Sequence, residues 1–380
     1  MDFHGTHRFD WTYHRHSRYG KTTPLISLIE KNMSLKNIEQ GNFENARVLM
    51  RVDFNVEFKN ISEVQEHFRF DIVKKTVDFI LGSPGTKLAL LTHFGRPEGK
   101  DANFSVKQIV STIETALGRK VVFIDDCIGD TVKTALENLA RGEVLLLENV
   151  RFYEGEEKND PQFAEKLAEH FTVFVNEAFS VCHREHASIV GVPKLLPSYA
   201  GFHLLEEIEK LDDATSAPKH PAVAIIGGAK IETKLPLIRM FEEKYDCILV
   251  GGKVANEAID QNIVFSEKVL LPQDFDSSLR LDIGPKTISY FIQIIKVAKT
   301  IVWNGPMGKF EDKPYDIGTE AILQAILESN AYVIIGGGES LAVIEKAGVM
   351  NKIGFVSSGG GAMLEYLSGK KLPGLEALES

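Results

Sequence analysis

Short apolar runs alternate with segments of helical periodicity along most of this chain, beginning at Arg47. Such alternation is typical of βα units that build a parallel sheet. The strand candidates of the first half are residues 48–52, 87–92, 121–124, 144–147 and 172–175. Helical candidates lie between them, for instance residues 105–117 and 161–170, where Pro161 suits a first helical turn. The pattern predicts a doubly wound α/β unit.

The alternation breaks near residue 200 and then restarts. The amphipathic residues 202–211 lead into a polar stretch, residues 212–221, which we interpret as a linker. The second set of strand candidates is 223–226, 247–250, 269–271, 300–302 and 333–335. We therefore predict an α/β fold of two doubly wound, Rossmann-like parallel-sheet domains joined by a hinge helix. Their predicted bounds are 33–200 and 215–365, with 201–214 as hinge helix and linker and residues 366–380 packing back on the first domain.

The first 32 residues differ from the rest of the chain. They hold four of the eleven histidines and several arginines, and they lack the apolar core of a secretory signal. So polar a stretch cannot bury enough surface to fold alone. We expect residues 1–32 to be a disordered leader, or sequence upstream of a true start at Met33.

Composition excludes several classes of protein. With 44% hydrophobic and 25% charged residues the chain is typical of a globular protein, and no apolar run approaches the roughly 20 residues that cross a bilayer. A net charge of −10 disfavours a nucleic-acid binder. The cysteines are three and widely spaced, with no CxxC pair, which disfavours a zinc site or a disulfide framework. We expect a cytoplasmic protein with reduced cysteines and no nucleic-acid or membrane partner.

Glycines are concentrated in the second half. They form the groups 227–228, 251–252, 336–338 and 359–361, and each follows an apolar stretch. A turn of this kind ahead of a helix exposes backbone N–H groups to an anion. Four such turns in one domain favour phosphate or nucleotide binding.

Two common nucleotide-binding signatures are absent from the sequence. No G-x-x-x-x-G-K-[ST] occurs, which disfavours a P-loop enzyme. A dinucleotide fingerprint would need a third glycine where Leu341 and Leu364 stand. An NAD-dependent dehydrogenase is therefore disfavoured.

The first half carries polar clusters at the ends of its predicted strands. They are Arg51-Val-Asp53-Phe-Asn55, Thr92-His93-Phe-Gly95-Arg96-Pro97, Glu148-Asn-Val-Arg151-Phe152 and His183-Arg184-Glu-His186. Because parallel strands end at one edge of a sheet, the arginines and His93 are expected to converge on one pocket. Arginine's planar fork suits carboxylate and phosphate. A basic pocket in an acidic protein implies a small, multiply charged substrate.

These clusters and the glycine turns resemble phosphoglycerate kinases from about Met33 to the C-terminus. The segments that carry the resemblance, in family order, are RVDFNV (51–56), THFGRP (92–97), LLLENVRF (145–152), HREH (183–186), AIIGGAKIETK (224–234), DIGPK (282–286), VWNGPMG (302–308), GGGES (336–340), SGGG (358–361) and LPG (372–374). The resemblance implies reversible phosphoryl transfer between 1,3-bisphosphoglycerate and MgADP, giving 3-phosphoglycerate and MgATP.

The resemblance also implies roles for residues of the first domain. Asp53 and Asn55 would lie near the carboxylate and hydroxyl of the glycerate. The residues around its charged ends would be Arg69, His93, Arg96, Arg151 and Arg184. Arg69 matches the arginine that stabilises the transferring phosphoryl group.

In the second domain the resemblance assigns the nucleotide site. Lys230 and Lys234 would hold the transferring and terminal phosphates. The adenosine would face Gly228, Gly251 and Gly252, with Asn304 and Pro306 on the phosphate–ribose side and Glu311 on the ribose. Gly337, Gly338 and Ser340 would cradle phosphates, and Glu339 would meet Mg²⁺. Arg69, Lys230 and Gly338 are the predicted catalytic residues.

The sequence departs from the family pattern at several places. Glu177 and the run Ser180-Val181-Cys182 replace family residues near the expected glycerate site, and Glu339 stands where an aspartate normally meets the metal. The nucleotide domain is shortened at residues 255–270 and 273–281, and Lys253 and Lys309 replace small residues. We predict that the base is held less fully, so that ADP affinity falls or base selectivity relaxes.

Two functions follow as hypotheses. The first is an active phosphoglycerate kinase, a monomer with hinge-bending closure whose partners are small-molecule substrates. The alternative is a degenerate, non-catalytic homologue that binds nucleotide or phosphoglycerate. Joint retention of Lys230, Arg69 and a carboxylate able to bind metal favours the first.

Overall fold

The computed structural model describes residues 35–56 and 68–379. The leader predicted at residues 1–32 lies outside the described residues, as do Glu66 and His67, which flank the segment of Arg69. Residues 35–380 group into one compact unit.

A six-stranded, all-parallel sheet forms the first half of this unit. Its strands are β1 (Arg47–Arg51), β2 (Lys87–Leu91), β3 (Val121–Phe123), β4 (Val144–Leu146), β5 (Val173–Asn176) and β6 (Ser198–Ala200). They lie in the order β3-β4-β2-β1-β5-β6. Five of them match the strand candidates to within one residue at each end, whereas β6 was not predicted because Ser-Tyr-Ala is too short to show a period.

A second six-stranded parallel sheet forms the other half. Its strands are β7 (Ala222–Ile226), β8 (Cys247–Val250), β9 (Val269–Leu270), β10 (Thr300–Asn304), β11 (Tyr332–Gly336) and β12 (Phe355–Ser357). Their order is β12-β11-β10-β7-β8-β9. The predicted fold class, α/β with two doubly wound parallel sheets, is confirmed.

Helices cover both sheets. Those of the first half are α1 (Phe68–Asp71), α2 (Lys74–Gly82), α3 (Val110–Leu117), α4 (Asp130–Asn138), α5 (Glu154–Glu157) and α6 (Pro161–Ala168). They are followed by α7 (Phe202–Ser216), α8 (Ile231–Lys244), α9 (Gly252–Asp260), α10 (Pro285–Val297), α11 (Ile317–Glu328), α12 (Gly338–Lys346), α13 (Gly361–Leu367) and α14 (Pro373–Glu376).

Each sheet buries side chains on both faces. In β1, Val48 and Met50 join one apolar cluster and Leu49 joins another on the opposite face. In β7, Ala224 and Ile225 are divided between two clusters in the same way. Parallel strands that are buried on both faces appear in a sequence as continuous apolar runs. This is why most of these strands could be predicted from the sequence.

Helix α7 connects the two sheets and is longer than the amphipathic segment that predicted it. The linker prediction for residues 212–221 is wrong over its first five residues, because α7 continues to Ser216. Its last turn is buried through Ala214 and Thr215, and the Asp212 carboxylate accepts a hydrogen bond from the Tyr366 hydroxyl at 2.7 Å. Tertiary partners therefore stabilise a turn that polar composition alone disfavours.

The two halves also touch through the C-terminal segment and the glycine turn at residues 359–361. Gly374 N donates to Cys182 O at 2.8 Å, and a Cβ on Gly359 would lie 2.6 Å from the ring of Phe179. These contacts join residues that precede α7 in the chain to residues that follow it. The two halves are therefore held together by more than the single helix that connects them.

Candidate active site

The polar clusters of the first half meet at the carboxyl edge of its sheet, and Asp53 is their centre. Asp53 Oδ2 accepts hydrogen bonds from Arg69 NH1 at 2.7 Å and from the Ser180 hydroxyl, and Oδ1 lies 3.6 Å from His93 Nδ1. Burial alone would raise the pKa of Asp53, but Arg69, the Ser180 hydrogen bond and Arg51 outweigh it and hold that pKa well below its ordinary value. Asp53 is therefore a fixed negative charge that orients Arg69.

Asn55 orders the next loop of the same edge. Its Oδ1 accepts a hydrogen bond from Gly95 N at 2.7 Å, and Arg151 NH1 donates to Gly95 O at 2.8 Å. The loop that carries Arg96 is thus held between the ends of β1 and β4. Arg96 itself is exposed.

A buried ionic layer lies beneath these residues. Arg51 is 1% exposed and donates to Ser188 Oγ at 2.9 Å, while its NH2 lies 3.3 Å from His93 Nδ1. Ser188 Oγ in turn donates to Glu156 Oε1 at 2.6 Å. A buried carboxylate opposite a buried guanidinium avoids leaving either charge uncompensated. This layer supports the orientation of His93 from below.

The positive groups of the edge are close enough to alter one another's ionisation. Burial and the nearby Arg151, Arg51 and Arg184 lower the pKa of His186 to about 4. Burial likewise lowers the pKa of His93 well below its usual range, with Asp53 opposing. Both imidazoles are therefore neutral near pH 7, and the positive charge of the pocket resides in its arginines.

The glycine turns of the second half are of two kinds. At 227–228 and 251–252 the backbone packs closely: a Cβ on Gly227 would lie 1.9 Å from Pro306 O, and Gly228 N and Gly252 N donate to the carbonyls of Pro306 and Met307. These N–H groups are engaged by protein. The backbone N–H groups of Gly228 and Gly252 are therefore not offered to an anion, and these two turns need glycine for close approach.

The turn at 336–338 leads into α12 and is more open. A Cβ on Gly338 would meet no atom within 4 Å, whereas Gly337 adopts a positive φ of 101° beside the Asn304 amide. Ser340 is buried and its Oγ accepts a hydrogen bond from Gly305 N at 2.7 Å. The side chain of Ser340 thus holds a neighbouring turn, and the open face of this helix N-terminus belongs to Gly338.

The two predicted lysines occupy different environments. Lys230 is exposed at the N-cap of α8. Lys234 is half-buried one turn further on, and its Nζ donates to Asn304 Oδ1. Burial lowers the pKa of Lys234 to about 8, with Glu339 opposing. Both lysines lie at the N-terminal end of α8, which follows the glycine turn at 227–228.

A cleft of about 680 Å³ opens beside these residues. Of the predicted nucleotide residues, Gly228, Pro306, Glu311 and Glu339 line it. Its remaining wall comes from residues 253–260, 279–281 and 308–312; it comprises Lys253, Asn256, Glu257, Asp260, Leu279, Arg280, Leu281, Gly308, Lys309 and Asp312, with Ala229. Asp260 and Arg280 form an ion pair of 2.7 Å within this wall.

Several of these residues were not predicted from the sequence. Asn256, Asp260 and Arg280 carried no signal, because the shortened segments match no motif. Ser188 and Glu156 also carried none, because their role depends on packing beneath the pocket. Ser180 had a signal, since it begins one of the departures from the family pattern.

Known proteins similar to this chain identify its family. The family model described as "Phosphoglycerate kinase" matches residues 38–271 and 258–370. The chain belongs to the phosphoglycerate kinase family. Its activity is the reversible transfer of a phosphoryl group between 1,3-bisphosphoglycerate and ADP, giving 3-phosphoglycerate and ATP. The two matched stretches overlap at residues 258–271, within the shortened part of the second half.

Relatives and solved structures cover nearly the whole chain. A phosphoglycerate kinase of Moorella thermoacetica is 40% identical over 392 residues, with 91% of this chain and 98% of the relative covered. A chloroplastic phosphoglycerate kinase of Volvox carteri is 39% identical, with 95% and 89% covered. The phosphoglycerate kinase structure from Pyrococcus horikoshii superposes with a TM-score of 0.81 at 31% identity, with 90% and 98% covered. Over residues 35–56 and 68–379, no helix is both long and apolar enough to cross a membrane.

Proposed function

We propose that the first half, residues 33–200, binds the phosphoglycerate and that residues 215–365 bind the nucleotide. The observation that carries the first part is the Asp53–Arg69 pair, with Arg151 close enough to interact electrostatically with Asp53; we expect Arg96 and Arg184 to join them when substrate binds. The arginines would bind the charged ends of the glycerate, and Asp53, Asn55 and His93 its polar centre. Because the imidazole of His93 is neutral, it can form a hydrogen bond with the glycerate without adding charge to the pocket.

The chemistry asks for positioning and charge neutralisation. The nucleophile is already an ionised carboxylate or phosphate, so no general base is needed. We propose that Arg69, Lys230 and the N-terminus of α12 at Gly338 stabilise the negative charge that develops on the transferring phosphoryl group. Lys234, Asn304 and Gly337 would bind the remaining phosphates from the other side.

A magnesium ion fits the nucleotide side. Burial and the neighbouring Glu311 raise the pKa of Glu339, and Lys234 opposes them. The negative charge of this carboxylate is therefore only partly compensated by the protein, and a cation beside it would be stabilising. The described residues hold no group of three or more His, Cys, Asp or Glu that could bind a metal alone. One carboxylate suffices for Mg²⁺, which takes its other ligands from phosphates and water. When bound, Mg²⁺ would neutralise phosphate charge, and Glu339 is the residue that would hold it.

The ribose and base would occupy the 680 Å³ cleft, with Glu311 at the ribose and Gly228 and Pro306 along the base; Gly251 and Gly252, also predicted to face the adenosine, do not line this cleft. Because the two substrates bind to different halves, transfer requires closure about α7, which also excludes water from the acyl phosphate. We take the working enzyme to be a cytoplasmic monomer.

A coupled assay of 3-phosphoglycerate phosphorylation that depends on ATP and Mg²⁺ tests the proposed sites. We expect activity in the purified chain and a fall of about 100-fold in the Lys230→Ala variant, since that lysine would neutralise the transferring group. An exposed lysine of the same helix, Lys244, provides the matched control, and Lys244→Ala should retain activity. Wild-type activity no higher than that of Lys230→Ala would favour the non-catalytic homologue.

Base selectivity is expected to be weak. Part of the cleft wall comes from the shortened segments, through Asn256, Asp260 and Arg280, so we expect the wall to enclose the base less fully. We expect the inhibition constants of ADP, GDP and IDP, measured in competition with ATP, to agree within about tenfold, a spread of about 1.4 kcal/mol. A preference for ADP of 100-fold or more would contradict the expectation.

A further inference from the structure

Phe68, immediately before Arg69, reaches from the first half of the protein to the second. It begins α1 and is partly buried. Its side chain packs against the apolar cluster on one face of the second sheet, to which Ile225, Ile335 and Val356 belong. Phe68 is thus a point where a loop of the glycerate half touches the core of the nucleotide half.

The same ring contacts the helix that joins the halves. Phe68 and His203 meet edge to face, with ring centroids 6.5 Å apart. His203 is fixed in turn: its Nε2 lies 3.1 Å from Ser358 Oγ and 3.3 Å from Glu207 Oε1. Phe68 therefore lies against a part of α7 that is itself bound to the second half.

Helix α1 is held on its other side by the first half. Phe70 is fully buried in the apolar cluster of the first sheet and lies 4.9 Å, centroid to centroid, from Phe54. Arg69 stands between Phe68 and Phe70 in the sequence. A helix of four residues has little stability of its own, so these two anchors determine its position.

We propose that Phe68 is a positioning residue for phosphoryl transfer, which couples Arg69 to the nucleotide half through its packing on the second sheet and on His203. This rests on the proposed role of Arg69. Asp53 orients the guanidinium relative to the glycerate, whereas Phe68 sets the distance between α1 and the half that carries the nucleotide. Loss of the ring would leave both binding sites intact and misplace Arg69 between them.

Steady-state kinetics of Phe68→Ala test this directly. We expect kcat to fall about tenfold, while the KM values for ATP and 3-phosphoglycerate change less than threefold, because Arg69 would act on the transition state. Phe68→Met, which keeps apolar volume, should recover most of kcat. The matched control is Ile292→Ala, which truncates another partly buried residue on the same cluster; its kcat should stay within twofold of wild type.

A double-mutant cycle separates this inference from the proposed function. If Phe68 acts through Arg69, adding Phe68→Ala to an Arg69→Ala enzyme should lower the residual kcat by less than twofold. A further tenfold fall in that background would overturn the inference, as would an unchanged kcat in Phe68→Ala alone. An Arg69→Ala enzyme with wild-type kcat would instead refute the proposed role of Arg69.

Discussion

Replacing Arg69 by alanine is expected to lower kcat by about 10³-fold, the largest catalytic effect we predict. Its guanidinium is fixed at 2.7 Å from Asp53 Oδ2, so the positive charge is already in place before the transfer. A preorganised arginine that stabilises charge on a transferring phosphoryl group contributes on the order of 10³-fold or more. The measurement is kcat in the coupled assay at saturating ATP, Mg²⁺ and 3-phosphoglycerate.

The control for this variant is Arg119→Ala. Arg119 is also paired with an aspartate, at 2.8 Å from Asp78, but the pair is more exposed and has no proposed role in the reaction. Its removal should leave kcat within twofold of wild type, because exposed pairs contribute little to stability. A fall of less than tenfold in Arg69→Ala would exclude the assigned role.

Replacing Glu177 by alanine is expected to reduce the free energy of unfolding by about 3–5 kcal/mol, the largest stability effect we predict. This buried carboxylate caps α7: it accepts hydrogen bonds from the N–H groups of His203 and Leu204, each at 3.1 Å, and from the Thr76 hydroxyl. Alanine would leave all three donors buried without an acceptor. Urea unfolding followed by circular dichroism measures the loss.

Two further variants test whether the lost hydrogen bonds cause the loss of stability. Glu165→Ala removes an exposed glutamate from α6 and should change the free energy of unfolding by less than about 0.5 kcal/mol. Glu177→Gln keeps one acceptor oxygen and should be intermediate. A Glu177→Ala protein as stable as wild type would show that water replaces the carboxylate, contrary to the role assigned to it.

Glu177 shows that a departure from the family pattern does not by itself reveal what the residue does. This departure was visible in the sequence, where it lies near the expected glycerate site. The structure instead directs its carboxylate to the first turn of α7, where a Cβ on Gly201 would lie 2.0 Å from Oε2. Ser180, from the other departure, does reach the site by donating to Asp53. Both residues follow β5, and only the path of the loop distinguishes them.

In the nucleotide half too, residues with the same sequence pattern have different roles in the folded structure. The glycine groups were predicted as anion sites because of their place between strand and helix. In the structure Gly227 and Gly252 lie against the carbonyl of Pro306 and Gly251 lies against Met307, so these positions require glycine for close packing, and the open surface is at Gly338. A glycine that allows close packing and one that exposes N–H groups have the same sequence signature.

By itself, the sequence determined the two parallel sheets, nearly all of their strands, and the residues that gather at their carboxyl edges, because these depend on apolar runs and on motifs that are local in the chain. The tertiary structure decided what local patterns do not contain. It extended α7 through a polar stretch by giving that stretch partners, it placed Glu156 and Ser188 beneath the arginines, and it set Phe68 against the other half. Each of these depends on contacts between residues far apart in the chain, where the free energy comes from burial and pairing that only the folded molecule provides.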